Sequence, residues 1–549
     1  MAAGTGTEPT NQAPPRVGID EFGANLALTE AVRIFGADWA AGSLHEVGEL
    51  VGSEDFQRDA EKAHVHPPVA RVWDRYGARI DEVDYDESYH RVIGQAVAHG
   101  AHTSGWADPR EGSGVARAAT FLLFAQVEPG HACPISMTHA AVASLKDSSW
   151  IAGEWMPRLL TREYDPRMLP AAEKNGVLVG MAMTEKQGGS DVRANRTEGV
   201  SLGGGSYQID GHKWFCSAPM SDAFLVLAQT RSGGTDEGLS CLFVPRVLAD
   251  GTRNPFRIQR LKDKLGNRSN ASAEIEFEGT IATLVGEPGR GVRAIIEMVQ
   301  RTRLDCVLGT AAGMRQSVAE ALWHARHRSA FGALLVDQPA MTAVLADLAL
   351  ESEAAMLAGL RLAQAFENEV SEHDTALRRL ATPALKYWVC KRGSHHAYEA
   401  MECLGGNGYT ESFPLARRYR EQPVMAIWEG SGNVIALDVL RALSRDTDSA
   451  EALSAELAKT RGDNAVLDAH VGRTLGLLRE IAADPDAAQS QARRLTESLG
   501  LALQGSLMLL HAPGRNADAF IAARMGEDRG SQYGVLPVGT DAAAILERH

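Results

Sequence analysis

The spacing of apolar and polar residues changes character twice along the chain. From about residue 23 to residue 173 apolar side chains recur at helical intervals, as in 25–35, 88–102 and the Ala-rich 114–126. The pattern then breaks into short runs rich in Val, Leu, Ile and Phe at 177–183, 223–228, 239–244 and 273–277. Turns rich in Gly, Asp and Asn, such as 202–206 and 232–235, separate these runs, which is how an all-β module reads. After Gly289-Arg290-Gly291 the helical period returns in long blocks at 292–327, 339–368 and 375–404, and such helices joined by short loops predict an antiparallel bundle. A last helical stretch covers about 447–549 and is either an added domain or an extension of the bundle. The expected organisation is α+β and multidomain. It comprises a disordered tail (1–20), an N-terminal helical domain (21–175), a middle β-domain (176–285), a C-terminal four-helix bundle (286–445) and an additional helical region (446–549). No strand leads into G-x-G-x-x-G, so a dinucleotide would be held by something other than a Rossmann turn.

Composition narrows the classes. The 549 residues are 44% hydrophobic and 23% charged, enough for several globular domains. A net charge of −15 argues against a surface that mainly binds nucleic acid. The absence of a run of about 18 uncharged apolar residues predicts no membrane span. The small, polar, Pro-rich start lacks the apolar core of a signal peptide. Six cysteines without C-x-x-C spacing read as buried free thiols in a reducing cytoplasm. The 17 histidines contain no H-E-x-x-H, and the pair His395-His396 reads as part of a helix, so no metal site is expected.

Five segments carry candidate chemistry. In Ile427-Trp428-Glu429-Gly430-Ser431-Gly432-Asn433 a single carboxylate stands between bulky apolar residues and a glycine-rich turn. Apolar surroundings raise a carboxylate's pKa toward the range where a general base works, although a paired structural Glu would fit the same pattern. Met183-Thr184-Glu185-Lys186-Gln187-Gly188-Gly189-Ser190-Asp191 follows a predicted strand and offers hydroxyls and exposed amides, as a pyrophosphate or heterocycle edge requires. An ordinary β-turn would use the same residues. In Gly211 to Ser217 two adjacent aromatics precede a hydroxyl, and alternation along a strand puts Phe215 and Ser217 on one face; an aromatic core strand is the plainer alternative. Arg328-Ser329-Ala330-Phe331-Gly332 closes a long helix, with Gln338-Pro339 opening the next; the arginine is either a phosphate ligand or a solvated charge at a helix end. Gly405-Gly406-Asn407-Gly408-Tyr409 is a glycine-dense loop between helices, a tight turn or a phosphate cradle.

Taken in this order and spacing, the five segments resemble the acyl-CoA dehydrogenase flavoprotein family, over most of the chain to about Leu443. T-E-K-Q-G-G-S-D, I-W-E-G-S-G-N, the early Asn11-Gln12-Ala13-Pro14-Pro15 and the hundred residues beyond the bundle are most similar to its alkylation-response branch. The resemblance implies a helical domain, a β-domain and a four-helix bundle, FAD between the last two, and a homo-oligomer, commonly a tetramer. It implies cofactor contacts from Met183, Thr184, Gly189, Ser190, Phe215, Cys216, Ser217, Arg328, Phe331, Gln338, Gly405, Gly406, Trp428, Ser431 and Asn433. Arg303 and Ser190 would meet an acyl-CoA-type substrate, and Glu429 would be the base that removes its α-proton while a hydride leaves Cβ for the flavin. The electron acceptor is unspecified.

Two residues depart from the family pattern. Glu402 adds a negative charge where many members have Gln, and Gln300 replaces an Asp that helps to bind the CoA adenine. The same branch suggests a second reading, a DNA-associated flavoprotein of the alkylation response with weak dehydrogenase activity. The C-terminal stretch 446–549 holds ten Lys/Arg against fifteen Asp/Glu, the wrong sign for phosphate neutralisation. Only a local stripe of Arg493, Arg494, Arg515, Arg524 and Arg529 on one face would favour DNA.

Overall fold

A computed structural model of the chain describes residues 10–367 and 370–549. They form two units. One comprises residues 55–305 with a short piece at Phe366, and the other comprises the residues up to Glu54 together with Cys306–Ala365 and Val370–His549.

The first unit is built on nine strands. β1 (Val69–Trp73) and β2 (Arg79–Asp84) make a separate hairpin. The others are β3 (Val179–Ala182), β4 (Glu198–Gly203), β5 (Ser206–Ser217), β6 (Ala223–Ser232), β7 (Thr235–Pro245), β8 (Arg257–Leu261) and β9 (Ser272–Val285). They pair in the order β6-β4-β5-β9-β7, and β7 pairs back to β6, so the sheet closes on itself. Closure removes the exposed sheet edges that an open sheet of this size would leave. β3 joins β6 in parallel and β8 joins β9. Inward residues such as Ile209, Cys216, Phe224, Leu242, Phe256 and Ile275 fill the interior. Helices Ser113–Val127 and Ala132–Leu145, rich in Ala and apolar on almost every side, are buried nearly throughout. The β1–β2 hairpin lies inside the stretch that helical spacing had claimed.

The second unit is helical. Its long members are Gly291–His327 (from residue 306 on), Pro339–Ala365 and Glu372–Cys403. The second was expected to run to residue 368 but ends at Ala365, with Phe366 and Glu367 outside the helix; residue 368 itself lies outside the described residues. Ser371 starts the third helix by accepting a hydrogen bond from the Asp374 amide. Residues up to Glu54 pack in this unit rather than with the rest of 21–175. The C-terminal stretch is an extension of the bundle. Helix Pro485–His511 lies so close to Glu372–Cys403 that a Cβ on Gly500 would come within 2.6 Å of Trp388 Cβ, and Trp388 Nε1 donates to Gln504 Oε1 at 2.8 Å.

The expected disordered tail needs correction. Residues 1–9 lie outside the described residues, but the Arg16 guanidinium is buried against Glu21 and the carbonyl of Pro14 accepts from Trp323 Nε1 at 2.8 Å. A buried ion pair and a long-range hydrogen bond pin a segment that composition alone made look loose. Among the described residues the six cysteines are free and buried, no cluster suits a metal ion, and no helix is long and apolar enough to cross a membrane.

Candidate functional site

In the barrel unit, the loop after β3 is organised by Glu185, which is fully buried. Its carboxylate accepts from Lys213 Nζ (2.8 Å), the Thr197 hydroxyl (2.7 Å), and the amides of Arg196 (2.7 Å) and Thr197 (3.1 Å). Burial pushes this carboxyl up, but the Lys213 ammonium and these hydrogen bonds outweigh it and hold the pKa at about 2. The loop so anchored presents Thr184, whose carbonyl accepts from the Trp214 amide at 2.8 Å and so ties the loop to β5. Asn195 donates to the Met183 carbonyl at 3.1 Å. Gly189 folds over the threonine: a Cβ there would stand 2.3 Å from Thr184 Oγ1, so a larger residue would have to displace the threonine side chain. Ser190 is exposed.

β5 carries the aromatic–hydroxyl pair. Its register against β9 slips between Lys213 and Cys216, leaving Trp214 and Phe215 in a bulge. Phe215 is 49% exposed and Ser217 half-buried, while Cys216 between them is fully buried in the barrel core. Phe215 and Ser217 thus share the outward face, as alternation predicts. The Cys216 side chain points inward, where burial pushes its thiol pKa up, so only its backbone is left to face a ligand. Lys262 Nζ lies 3.3 Å from the Trp214 ring centroid and 4.8 Å from that of Phe215. On the helix Gly291–His327, Arg303 is buried. Its neighbour Arg301 donates to the Phe366 carbonyl at 3.0 Å, and Asp305 forms a buried ion pair with Arg117. Gln300 is buried with neither amide atom hydrogen-bonded among the described residues.

In the helical unit, Glu429 has φ 59, a left-handed conformation unusual for a residue with a side chain. Lys386, 1% exposed, reaches it from the helix Glu372–Cys403. The ammonium donates to the carbonyl of Trp428 at 2.9 Å and to that of Gly430 at 2.6 Å, clamping the peptide units on both sides of the carboxylate. Trp428 packs on Cys306, Cys390 and Met425. Ile427, by contrast, is 63% exposed and Glu429 is half-buried, so the expected apolar enclosure by its chain neighbours is not seen. Ser431 and Asn433 are exposed at the start of helix Gly432–Arg445, whose first turn has no side-chain cap. A Cβ on Gly432 would meet Lys391 Cε at 2.7 Å.

Arg328 precedes a two-residue hairpin, β10 (Ser329–Ala330) and β11 (Ala333–Leu334), with Phe331 and Gly332 at the tip, both at positive φ. The Phe331 side chain is completely exposed. Gln338 Nε2 donates to the Ala330 carbonyl at 2.9 Å and braces the hairpin. Asn11 pairs with Ser329 through two hydrogen bonds, of 2.8 and 2.7 Å. Gln12 Oε1 accepts from Arg328 (3.3 Å) and from Asn407 (3.2 Å). The structure thereby brings the R-x-x-F-G and G-G-x-G-Y segments together through the N-terminal segment. Gly405 has φ 59, and space is open around it and Gly406. Glu185, Lys386 and Gln12 have positioning roles that spacing alone did not reveal; Lys386 as the single charged residue of the run 380–390 was the one available signal.

Comparison with known proteins assigns all three parts. Residues 11–166 match the AidB N-terminal domain, residues 180–280 the acyl-CoA dehydrogenase middle domain and residues 289–444 the acyl-CoA dehydrogenase C-terminal domain. The chain is 43% identical to the acyl-CoA dehydrogenase relative AidB of Escherichia coli K12 over 512 residues, 93% of either chain. It is 30% identical to acyl-CoA dehydrogenase family member 11 of Caenorhabditis elegans over 416 residues, covering 74% of this chain and 67% of that one. The crystal structure of Caenorhabditis elegans ACDH-11 in complex with C11-CoA superposes with a TM-score of 0.84 at 26% identity, covering 96% of this chain and 92% of that one.

Proposed function

The chain belongs to the acyl-CoA dehydrogenase family, and on that premise we propose that it α,β-dehydrogenates an acyl-CoA-type thioester with Glu429 as the base. It is an FAD-dependent oxidoreductase, and the residues present suit FAD. Phe215 offers an exposed ring, Ser217 a hydroxyl beside it, and Gly405 and Gly406 a stretch of backbone with room in front of it. Met183, Thr184, Gly189, Ser190, Arg328, Phe331, Gln338, Trp428, Ser431 and Asn433 complete the proposed cofactor set. FAD, when bound, supplies the hydride acceptor.

The protein's own residues do the rest. A carboxylate removes the weakly acidic α-proton of a thioester only if the developing charge on the carbonyl oxygen is stabilised, and the Glu429 backbone N–H is suited to that task. Arg303 is the proposed substrate-side cation. The observation that carries the reading is the strained backbone at Glu429, held from both sides by a buried lysine. Left-handed conformations at residues with side chains concentrate where geometry serves function.

The decisive experiment compares wild type with Glu429→Gln under anaerobic conditions, using an acyl-CoA panel that includes C11-CoA, the ligand of the nematode relative. The variant should fold and stay yellow while flavin reduction slows by about 10²–10⁴-fold. A yellow variant reduced at the wild-type rate would end the assignment.

We further propose a homo-oligomer, tetrameric as in much of the family, acting in the cytoplasm. An apolar side chain fully exposed at a hairpin tip is a surface that a second copy would cover. The DNA-associated alternative gains no support from the C-terminal arginines. Arg524 is committed to Asp347 and Glu351, and Arg493 donates to the Tyr387 hydroxyl, so the stripe is broken.

A further inference from the structure

Ser217 does not stand alone. It faces Ser272 directly across the β5–β9 ladder, and their hydroxyl oxygens are 3.1 Å apart. Ser272 Oγ in turn accepts from Lys264 Nζ at 3.1 Å, and the same ammonium donates to the Asn270 carbonyl at 2.5 Å. An ammonium can only donate, which fixes the sense of the first link. Ser272 is 4% exposed, and among the described residues its oxygen has no partner besides Lys264 and Ser217. If Ser217 donated to Ser272, the Ser272 proton would be buried without an acceptor, which protein interiors avoid. The satisfied arrangement runs one way, from Lys264 to Ser272 and from Ser272 to Ser217. Ser217 then accepts on its inner side, and its own proton, with no protein acceptor among the described residues, is turned outward.

We propose that Lys264 and Ser272 are positioning residues that lock the Ser217 hydroxyl as an outward hydrogen-bond donor to the flavin. The inference rests on the reading that Ser217 meets the cofactor. The cation at the start of the chain polarises each hydroxyl in turn, so the outward donor is stronger than an isolated serine. Lys264 and Ser272 act on the ring without touching it.

The test is a titration of full-length protein, stripped of cofactor, with FAD, read by affinity and by the flavin absorption bands of the complex. Ser217→Ala, Ser272→Ala and Lys264→Met are each expected to weaken FAD by about tenfold and to shift the long-wavelength band alike, as loss of one hydrogen bond to a ligand would. Lys264→Arg keeps a donor and should retain most of the affinity. In the Ser217→Ala background, Lys264→Met should cost nothing more, because the group it orients is gone. If Lys264→Met loses as much affinity there as in wild type, the relay is refuted and the lysine is merely structural. If Ser217→Ala leaves affinity and spectrum unchanged, the flavin contact itself is wrong. Should Lys264→Met fail to fold, Ser272→Ala alone and combined with Ser217→Ala completes the same cycle.

Discussion

Lys386 and Glu185 solve one problem with opposite charges: each is buried and holds backbone groups by hydrogen bonds, Lys386 two carbonyls and Glu185 two amides beside its side-chain partners. Lys386 serves two carbonyls, so Lys386→Met, which keeps the bulk and removes the donors, should cost about 1–3 kcal/mol for each carbonyl left unsatisfied. The left-handed conformation of Glu429 would then lose its clamp. Flavin reduction by a thioester should fall more than FAD content does; a variant that melts lower yet is reduced at the normal rate would mean that the lysine only stabilises. Glu185→Gln is predicted to be harsher, because it leaves the Lys213 ammonium buried opposite a neutral amide. Breaking a buried pair typically costs about 3–5 kcal/mol, and the loss should show in denaturant unfolding of the variant. Neither role could be read from local sequence, since the carbonyls that Lys386 holds lie 42 and 44 positions away. The motif residues were readable because their order and spacing are local properties. The direction in which Cys216 points became clear only with the strand's two faces assigned.

At the scale of elements, the long helices and the barrel strands were readable because each keeps one period over its length. The β1–β2 hairpin was not. It exposes Val69 and Trp73 on its outer side, so the hydrophobic-in, polar-out alternation that marks a half-buried strand is absent. The segment at 11–16 escaped for a different reason: its order comes from Ser329, Trp323 and Arg328, more than 300 positions on. The β10–β11 hairpin bears a prediction of its own. Phe331 occupies a left-handed position with its side chain fully exposed, a double penalty for an isolated protomer. Phe331→Asn suits that backbone and removes the apolar tip, so protomer stability should change by no more than about 0.5 kcal/mol, as for surface substitutions generally. If the tip is buried between copies, sedimentation should show weaker association; an unchanged oligomer would place the tip outside the interface.

At the scale of the whole molecule, carboxylates on one helix fasten the C-terminal extension. Asp347 and Glu351, on Pro339–Ala365, both take Arg524, at 2.6 and 2.8 Å, and Glu353 takes Arg548 at 3.0 Å. Burial pushes Glu351 up, but Arg392 and Arg524 outweigh it and bring the carboxyl to about 2 from its usual 4.5, as Lys213 does for Glu185. A depressed carboxylate contributes stability that is whole above pH 4.5 and drains away as pH falls toward 2. The buried His102 and His396, both lowered to about 4 mainly by burial, add loss of the same sign as pH drops below 6.5. Asp222, raised to about 6 by burial, works the other way. The net expectation is a steep acid unfolding below pH 4.5. Arg524→Met tests the fastening directly. It strips both carboxylates of a shared cation, and although Arg392 still serves Glu351, Asp347 keeps only the Gly534 amide among the described residues. The loss should approach the about 3–5 kcal/mol typical of a broken buried pair, and limited proteolysis should cut within 512–549 before the rest of the chain opens. Arg529→Met removes an exposed arginine whose hydrogen bond goes to the Gly526 carbonyl, so it should change little. Equal protease sensitivity in the two variants would show that the extension is held by its apolar packing on the Glu372–Cys403 helix, with the ion pairs contributing nothing.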